Sequence, residues 1–288
     1  MKVRIWGSRG SIAAPGPETL RYGGNTACVS VTGADGTLLV LDAGTGITRL
    51  GASLRSIPSR VDVLLSHLHL DHLIGLGFFR PLRTPGCEVH IWGPASATLD
   101  LRTRLSRYLS PPLFPVLLRD LECGLTLHEV PGGSVRIGEF VVQSDLICHP
   151  DPTVGYRISS ADGVLAYLTD HEPALGVPDF PAAAEWTSGY AIAVDADWLF
   201  HDCQYDDEEY VARQGWGHSS LRQAFAFAKL ARVRELVTFH HDPAHTDSEL
   251  GLRLERAVRD LRPTFAVTAG YEGRELALSR RPAAAGAT

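Results

Sequence analysis

The chain has 288 residues, 44% of them hydrophobic and 21% charged, with a formal charge of −6. That suits a soluble globular enzyme with a sizeable core, and the acidic balance argues against a protein that grips long nucleic acid by its phosphates. No apolar run is long enough for a bilayer, and five scattered cysteines without a C-x-x-C pair exclude a disulfide frame or a cysteine zinc site, so the cytoplasm is the expected compartment.

Met1-Lys-Val-Arg-Ile-Trp6 reads as a first strand rather than a signal peptide. Cys28–Thr32 and Thr37–Leu41 flank Gly33-Ala-Asp-Gly36, a hairpin signal, and Asp42-Ala-Gly-Thr-Gly46 leads on into a helix. Strand-like runs follow at Val61–Leu65, Glu88–Trp92, Ser134–Ile137, Phe140–Ile147, Val154–Ser159 and Val164–Thr169. Ala191–Val194, Trp198–Phe200, Glu235–Phe239 and Thr264–Thr268 continue the series. Helical spacing marks Leu73–Phe79, Ala95–Leu109, Ser219–Leu230 and Ser248–Leu261. The alternation predicts an α/β fold. We expect one domain over residues 1–280, made of two sheet-plus-helix halves meeting near residue 150, and a disordered tail at 281–288. Pro-rich Ser110–Pro115 is either a lid over a site or a packed surface loop. Arg102, Arg104 and Arg107, like Arg253, Arg256 and Arg259, have the spacing of solvated helix faces.

The most informative residues are His67-Leu-His69-Leu-Asp71-His72, which follow the run Val61-Asp-Val-Leu-Leu-Ser66. Three imidazoles and a carboxylate make a poor core, because buried together they leave polar groups without partners. They do make metal ligands, and their crowding suggests sharing between two adjacent ions. Further ligands should also follow apolar strands. His149 after Phe140–Cys148, Asp170 after Val164–Thr169 and His240 after Glu235–Phe239 do so, and strand ends at one sheet edge converge.

With these residues the chain resembles the metallo-β-lactamase-fold hydrolases, whose first motif is H-x-H-x-D-H. The likeness extends to Trp6-Gly-Ser-Arg-Gly-Ser11, Tyr22-Gly-Gly-Asn-Thr26, Leu41-Asp-Ala-Gly-Thr-Gly46 and Phe239-His-His-Asp-Pro243. It is most similar to the phosphodiesterase branch, namely the phosphoribosyl cyclic phosphate phosphodiesterases and, more distantly, the RNase Z-type tRNA 3′-processing endonucleases. The resemblance implies a four-layer αββα sandwich. It implies that His67, His69 and His149 hold one divalent ion and Asp71, His72 and His240 a second, with Asp170 bridging. Zinc is the expected metal and manganese the alternative. Two such ions ~3.5–4 Å apart activate a bridging hydroxide as nucleophile, which Asp71 also orients. Oxygen-reducing di-iron relatives tend to carry glutamate where His69 stands, so hydrolysis is favoured over redox chemistry.

His218, in Gly215-Trp-Gly-His-Ser-Ser220, resembles the histidine that protonates the leaving oxygen in the phosphodiesterase branch. His201-Asp202 resembles the pair that orients it or a ligand. The expected function is therefore cleavage of a small, cyclic or linear, phosphodiester. An RNase Z-type endonuclease is the alternative, disfavoured because only 21 positions separate His149 from Asp170, where those enzymes usually insert a long tRNA-gripping arm. Hydrolysis of a lactone, thioester or β-lactam is a second alternative. The expected partner is a small-molecule substrate, with no membrane, and the resemblance suggests a homodimer.

Overall fold

A computed structural model describes residues 1–175 and 180–278; the expected tail at 281–288 lies outside them. The first sheet is built from β1 (Lys2–Gly7), β2 (Cys28–Thr32), β3 (Leu38–Leu41), β4 (Arg60–Leu64), β5 (Glu88–Pro94) and β6 (Gly124–Val130). The second takes β7 (Ser134–Ile137), β8 (Phe140–Leu146), β9 (Val154–Ser160), β10 (Gly163–Leu168), β11 (Trp198–Asp202), β12 (Glu235–Phe239) and β13 (Ala266–Ala269). The last strand, β14 (Glu275–Ala277), returns to the first sheet beside β1. The orders are β14-β1-β2-β3-β4-β5-β6 and β13-β12-β11-β10-β9-β8-β7.

Strand side chains alternate between faces, and both faces of each sheet are covered. Val3, Ile5, Val29 and Leu41 of the first sheet meet Tyr156, Ile158, Tyr167 and Phe200 of the second in one buried cluster. Helices α1 (Gly46–Ser53) and α3 (Leu101–Tyr108) cover the outside of the first sheet through Ile47, Leu50, Leu101 and Leu105. The short α2 (Leu70–Leu73) follows β4. Helices α4 (Tyr190–Ala193) and α6 (Leu221–Leu230) cover the second through Ile192, Ala193, Phe225 and Phe227, and α7 (Asp247–Leu261) adds Leu254 and Ala257. The result is the αββα sandwich that the resemblance implies, within the α/β class that the alternation predicts. Strands β3 to β6 run parallel, as do β10 to β13. Their C-terminal ends carry the polar residues of the site. Among the described residues no helix is long and apolar enough to cross a membrane.

Four expectations need correction. The chain passes between sheets at residues 131–133, not near 150, because Gly124–Val130 forms an edge strand that its half-exposed alternation concealed. Ala191–Val194 is not a strand. Gly189 turns the chain with φ 72°, and α4 then seats Ile192 and Ala193 on the second sheet. The helix expected over Leu73–Phe79 breaks into α2 and a 3-10 turn at Leu76–Phe78, where Gly75 approaches so closely that a Cβ would lie 2.1 Å from the Gly44 carbonyl oxygen. The helix expected from Ala95 starts only at Leu101, where the Asp100 side chain caps the Thr103 amide.

Candidate metal centre

His67, His69, Asp71, His72, His149, Asp170 and His240 converge. One group comprises His67, His69, His149 and Asp170, another Asp71, His72, Asp170 and His240, with candidate ligand atoms inside each group lying within 4.8 Å of one another. Asp170 belongs to both. Its Oδ1 lies 3.0 Å from His72 Nε2 and 3.1 Å from His240 Nε2, and its Oδ2 lies 3.7 Å from His67 Nε2 and 3.8 Å from His149 Nε2. One carboxylate thus faces four imidazoles of the candidate ligands, two with each oxygen, and His218 Nδ1 lies 4.0 Å from Oδ2. Asp71 Oδ2 is 3.1 Å from both His72 Nε2 and His240 Nε2 and accepts from the Ser11 amide at 2.8 Å.

The outward nitrogens of four of these histidines are held from behind. His67 Nδ1 meets Ser66 Oγ at 3.0 Å, and His72 Nδ1 meets Asp42 at 2.9 Å. His149 Nδ1 meets the Gly217 carbonyl at 2.9 Å, and His240 Nδ1 meets Gln204 Oε1 at 2.9 Å. This leaves their Nε2 atoms turned inwards. The fit to a metal pair is physical: His72 Nε2 and His240 Nε2 face each other at 3.2 Å, and buried His67 Nε2 has no hydrogen-bond partner among the described residues. Inward imidazole nitrogens and carboxylates, four of the imidazoles steadied from outside, form a donor set for divalent cations. His240 adopts a left-handed backbone (φ 55°), costly for a bulky residue, and Gly10 makes room, since a Cβ there would come within 2.4 Å of the ring.

The electrostatics follow from this crowding. Burial, joined by the charge of His72, holds His67 well below the ordinary histidine range. Burial opposes charge on His72 too, but Asp170, Asp71 and Asp42 outweigh it and raise that residue. Burial likewise works against ionised Asp71 and Asp170, yet the surrounding imidazoles keep both below the usual carboxylate range.

His218 stands beside the cluster, stacked on His240 with centroids 5.1 Å apart. Its Nδ1–H donates to Asp202 Oδ2 at 2.7 Å, and the Ser219 amide donates to Asp202 Oδ1 at 3.1 Å. Ser220 caps α6. Burial opposes the charged form of His218, but Asp202 pushes it up to about 9.

His201 makes no hydrogen bond to His218; its Nδ1 donates to the Asp202 backbone carbonyl at 2.8 Å. Alternation along β11 sends Phe200 and Asp202 towards the interior and site side and turns His201 under α6, where it lies 3.0 Å from His171 Nδ1 and packs on Phe227. His241 bonds the Gly270 carbonyl and His245 bonds Glu209. Arg80 and Arg83 hold backbone carbonyls away from the cluster.

Sequence reasoning assigned no role to Asp42, Gln204 or Glu172. Asp42 had one signal, its place in Asp42-Ala-Gly44 directly after an apolar strand. Buried Glu172 accepts from Tyr210 Oη at 2.7 Å and from the amides of Gly215 and Gly217 at 3.1 and 2.9 Å, and so shapes the loop before His218.

Residues 37–241 match the Beta-lactamase superfamily domain. The Ribonuclease Z of Gemmatimonas aurantiaca is 26% identical, over 79% of this chain and 81% of its own length. Among solved structures, a diphosphatase from the PhnP family superposes with a TM-score of 0.65 at 17% identity, over 97% of this chain and 99% of that one. Zinc-bound PqqB from Methylobacterium extorquens does so with a TM-score of 0.67 at 18% identity, over 96% and 100%. A family match across most of the chain, on this fold, identifies it as a member of the metallo-β-lactamase-fold hydrolases.

Proposed function

We propose that residues 1–280 form one dinuclear-metal phosphodiesterase domain that hydrolyses a small, cyclic or linear, phosphodiester. The observation that carries this reading is the Asp202–His218 pair set against the double His/Asp cluster. Phosphodiester cleavage expels a poor alkoxide leaving group and benefits from an acid. Bonding of Nδ1 to Asp202 fixes the ring and leaves Nε2 of His218 without a protein partner among the described residues, while Asp202 keeps the imidazole protonated at neutral pH. His218 is the acid we assign, and Asp202 positions it.

His67, His69, His149 and Asp170 would hold one divalent cation, and Asp71, His72, His240 and Asp170 the other, with zinc favoured and manganese the alternative. When bound, such a pair neutralises phosphate charge and lowers the pKa of water. Asp71, fixed by the Ser11 amide, is assigned to orienting the attacking water.

An RNase Z-type endonuclease is the second reading, favoured by the relative that carries that name. Against it, a short loop and the β9–β10 hairpin take up the interval from His149 to Asp170, so no arm projects there. Purified protein loaded with zinc or manganese should be assayed on bis-p-nitrophenyl phosphate, cyclic nucleotides, precursor tRNA and a lactone panel. Phosphodiester turnover without tRNA cleavage is expected. Activity on lactones alone would overturn the proposal, and 3′ cleavage of precursor tRNA would promote the second reading.

A further inference from the structure

The two halves of the cluster are not held alike. Asp71, His72, Asp170 and His240 are all buried, and outer groups steady His72, His240 and Asp71. In the other half, Ser66 and the Gly217 carbonyl do the same for His67 and His149. His69 is the exception. Its Nδ1 faces His149 Nε2 at 3.3 Å and so points inwards, yet its Nε2 makes no hydrogen bond among the described residues. Its side chain is 42% exposed, against 7% or less for the other six candidate ligands. Asp151 Oδ2 stands 3.6 Å from His69 Nε2, within ion-pair range but too far for a hydrogen bond.

Asp151 also has an uncommon backbone. Its φ is 64° although it precedes Pro152, and a residue before proline is steered towards extended conformations. The turn Pro150-Asp-Pro152 leaves His149 and sets the residue two positions beyond one ligand beside another. The Thr153 hydroxyl holds the turn by donating to the Asp151 carbonyl at 3.2 Å. Strain of this kind beside a site points to a function for the side chain it presents. His69 and Asp151 both border a cavity of about 390 Å³ that reaches Leu113 of the loop at 110–115, a loop anchored by buried Phe114 edge-on to Phe78.

An imidazole that binds a cation through Nδ1 keeps its proton on Nε2, and here that atom faces the Asp151 carboxylate. An outer carboxylate fixes the ring of a ligand and raises its basicity. We propose that Asp151 is a positioning residue for His69, and that this solvent-open pair makes the ion on His67, His69 and His149 the exchangeable one of the two. The proposal rests on the two-ion reading and adds a regulation to it. Occupancy of that position follows the free metal concentration, while the buried position stays filled.

The test counts zinc rather than turnover. Zinc-loaded wild type should yield one equivalent to a chromogenic chelator about tenfold more readily than the other, and His69→Ala should lack that equivalent. Asp151→Gly removes the carboxylate and adopts φ 64° without strain. It should weaken the exchangeable equivalent ~10–100-fold, the usual cost of losing an outer partner, and leave the other at wild-type affinity. Asp151→Asn keeps an acceptor on a residue that tolerates the left-handed backbone, and should fall between wild type and Asp151→Gly. Asp151→Gly with both equivalents at wild-type affinity, or with both weakened alike, overturns the proposal. Two equivalents released together from wild type overturn it as well, with the two-ion reading intact. A wild type that never holds two equivalents removes that reading and the proposal with it, and turnover of bis-p-nitrophenyl phosphate reports separately on the phosphodiesterase assignment.

Discussion

His149 donates from Nδ1 to the carbonyl of Gly217 at 2.9 Å, tying a member of the metal-ligand cluster to the loop that carries His218. Gly217 is in turn clamped by Glu172, which accepts its amide proton. One three-residue turn thus sets the outer nitrogen of a candidate ligand and the approach of the candidate acid.

Gly217→Ala should therefore act on metal binding before folding. Gly217 has φ +84°, and a Cβ there would lie 2.2 Å from His149 Nδ1. We expect the His149 ring to move and zinc affinity to fall ~10–100-fold, as when an outer partner of a ligand is lost, with a stability loss of ~1–2 kcal/mol. Competition with a chromogenic chelator measures the affinity, and far-UV circular dichroism checks folding. A folded variant with wild-type zinc affinity would refute this coupling.

Asp202→Asn should shift the alkaline limb of the pH profile. Asp202 raises His218 to about 9 from its ordinary 6.5, against burial. The raised value means that the pair's contribution to stability is fully present below the unfolded value and is lost as pH rises through the folded one. The acid form is lost over the same interval, so turnover of an alkyl phosphodiester should decline there, at or below pH ~9 once nearby cations add their repulsion. With asparagine the limb should move to lower pH, and a p-nitrophenyl substrate, whose leaving group needs little help, should respond much less. Equal pH profiles for wild type and Asp202→Asn on the alkyl substrate would remove His218 as the acid.

Much of this centre was legible because each ligand follows an apolar strand, a context that gives polar residues one shared edge. His149, Asp170 and His240 stand just beyond β8, β10 and β12. The residues behind them were not legible. Gln204 and Glu172 are single polar residues without a spacing, and their work depends on which backbone or ring lies opposite. The directions of His201 and Asp202 required the phase of β11, which the run Trp198–Phe200 alone leaves open. Where the first sheet ends was equally hidden, since the edge strand β6 alternates too weakly to mark the boundary.

Asp42 offers a third test. It is wholly buried with φ 56°, and its carboxylate meets His72 Nδ1 at 2.9 Å, Ser66 N and Oγ at 2.7 and 2.9 Å, and Tyr167 Oη at 2.9 Å. Asp42→Ala strands these donors in the interior and should cost ~3–5 kcal/mol, read as a lower denaturant midpoint. Asp42→Asn tolerates the left-handed backbone but presents an amide to the same donors. It should fold and lose affinity chiefly for the ion assigned to Asp71, His72 and His240. Two full equivalents of tightly held zinc in Asp42→Asn would show that His72 needs no such support.

The acid side of the stability profile should depend on Glu209. Burial opposes its charge, but Arg253, the Asp206 amide and His245 together bring it down to about 2 from 4.5. Arg253 Nη1 lies 2.6 Å from one carboxylate oxygen and His245 Nε2 2.8 Å from the other. The same carboxylate closes the capping box of α5 (Asp207–Val211), the helix that leads into the loop carrying His218. Because the folded value is depressed, this stabilisation is present above 4.5 and is lost as pH falls through about 2. Solvent screening of a partly exposed group limits it to ~1 kcal/mol, which corresponds to ~2–4 °C in Tm. Glu209→Gln should therefore melt below wild type at pH 7, and the gap should narrow at pH 3.5, where the wild-type carboxylate has already lost part of its advantage. A gap of the same size at both pH values would show that packing of the side chain, not its charge, supports the helix.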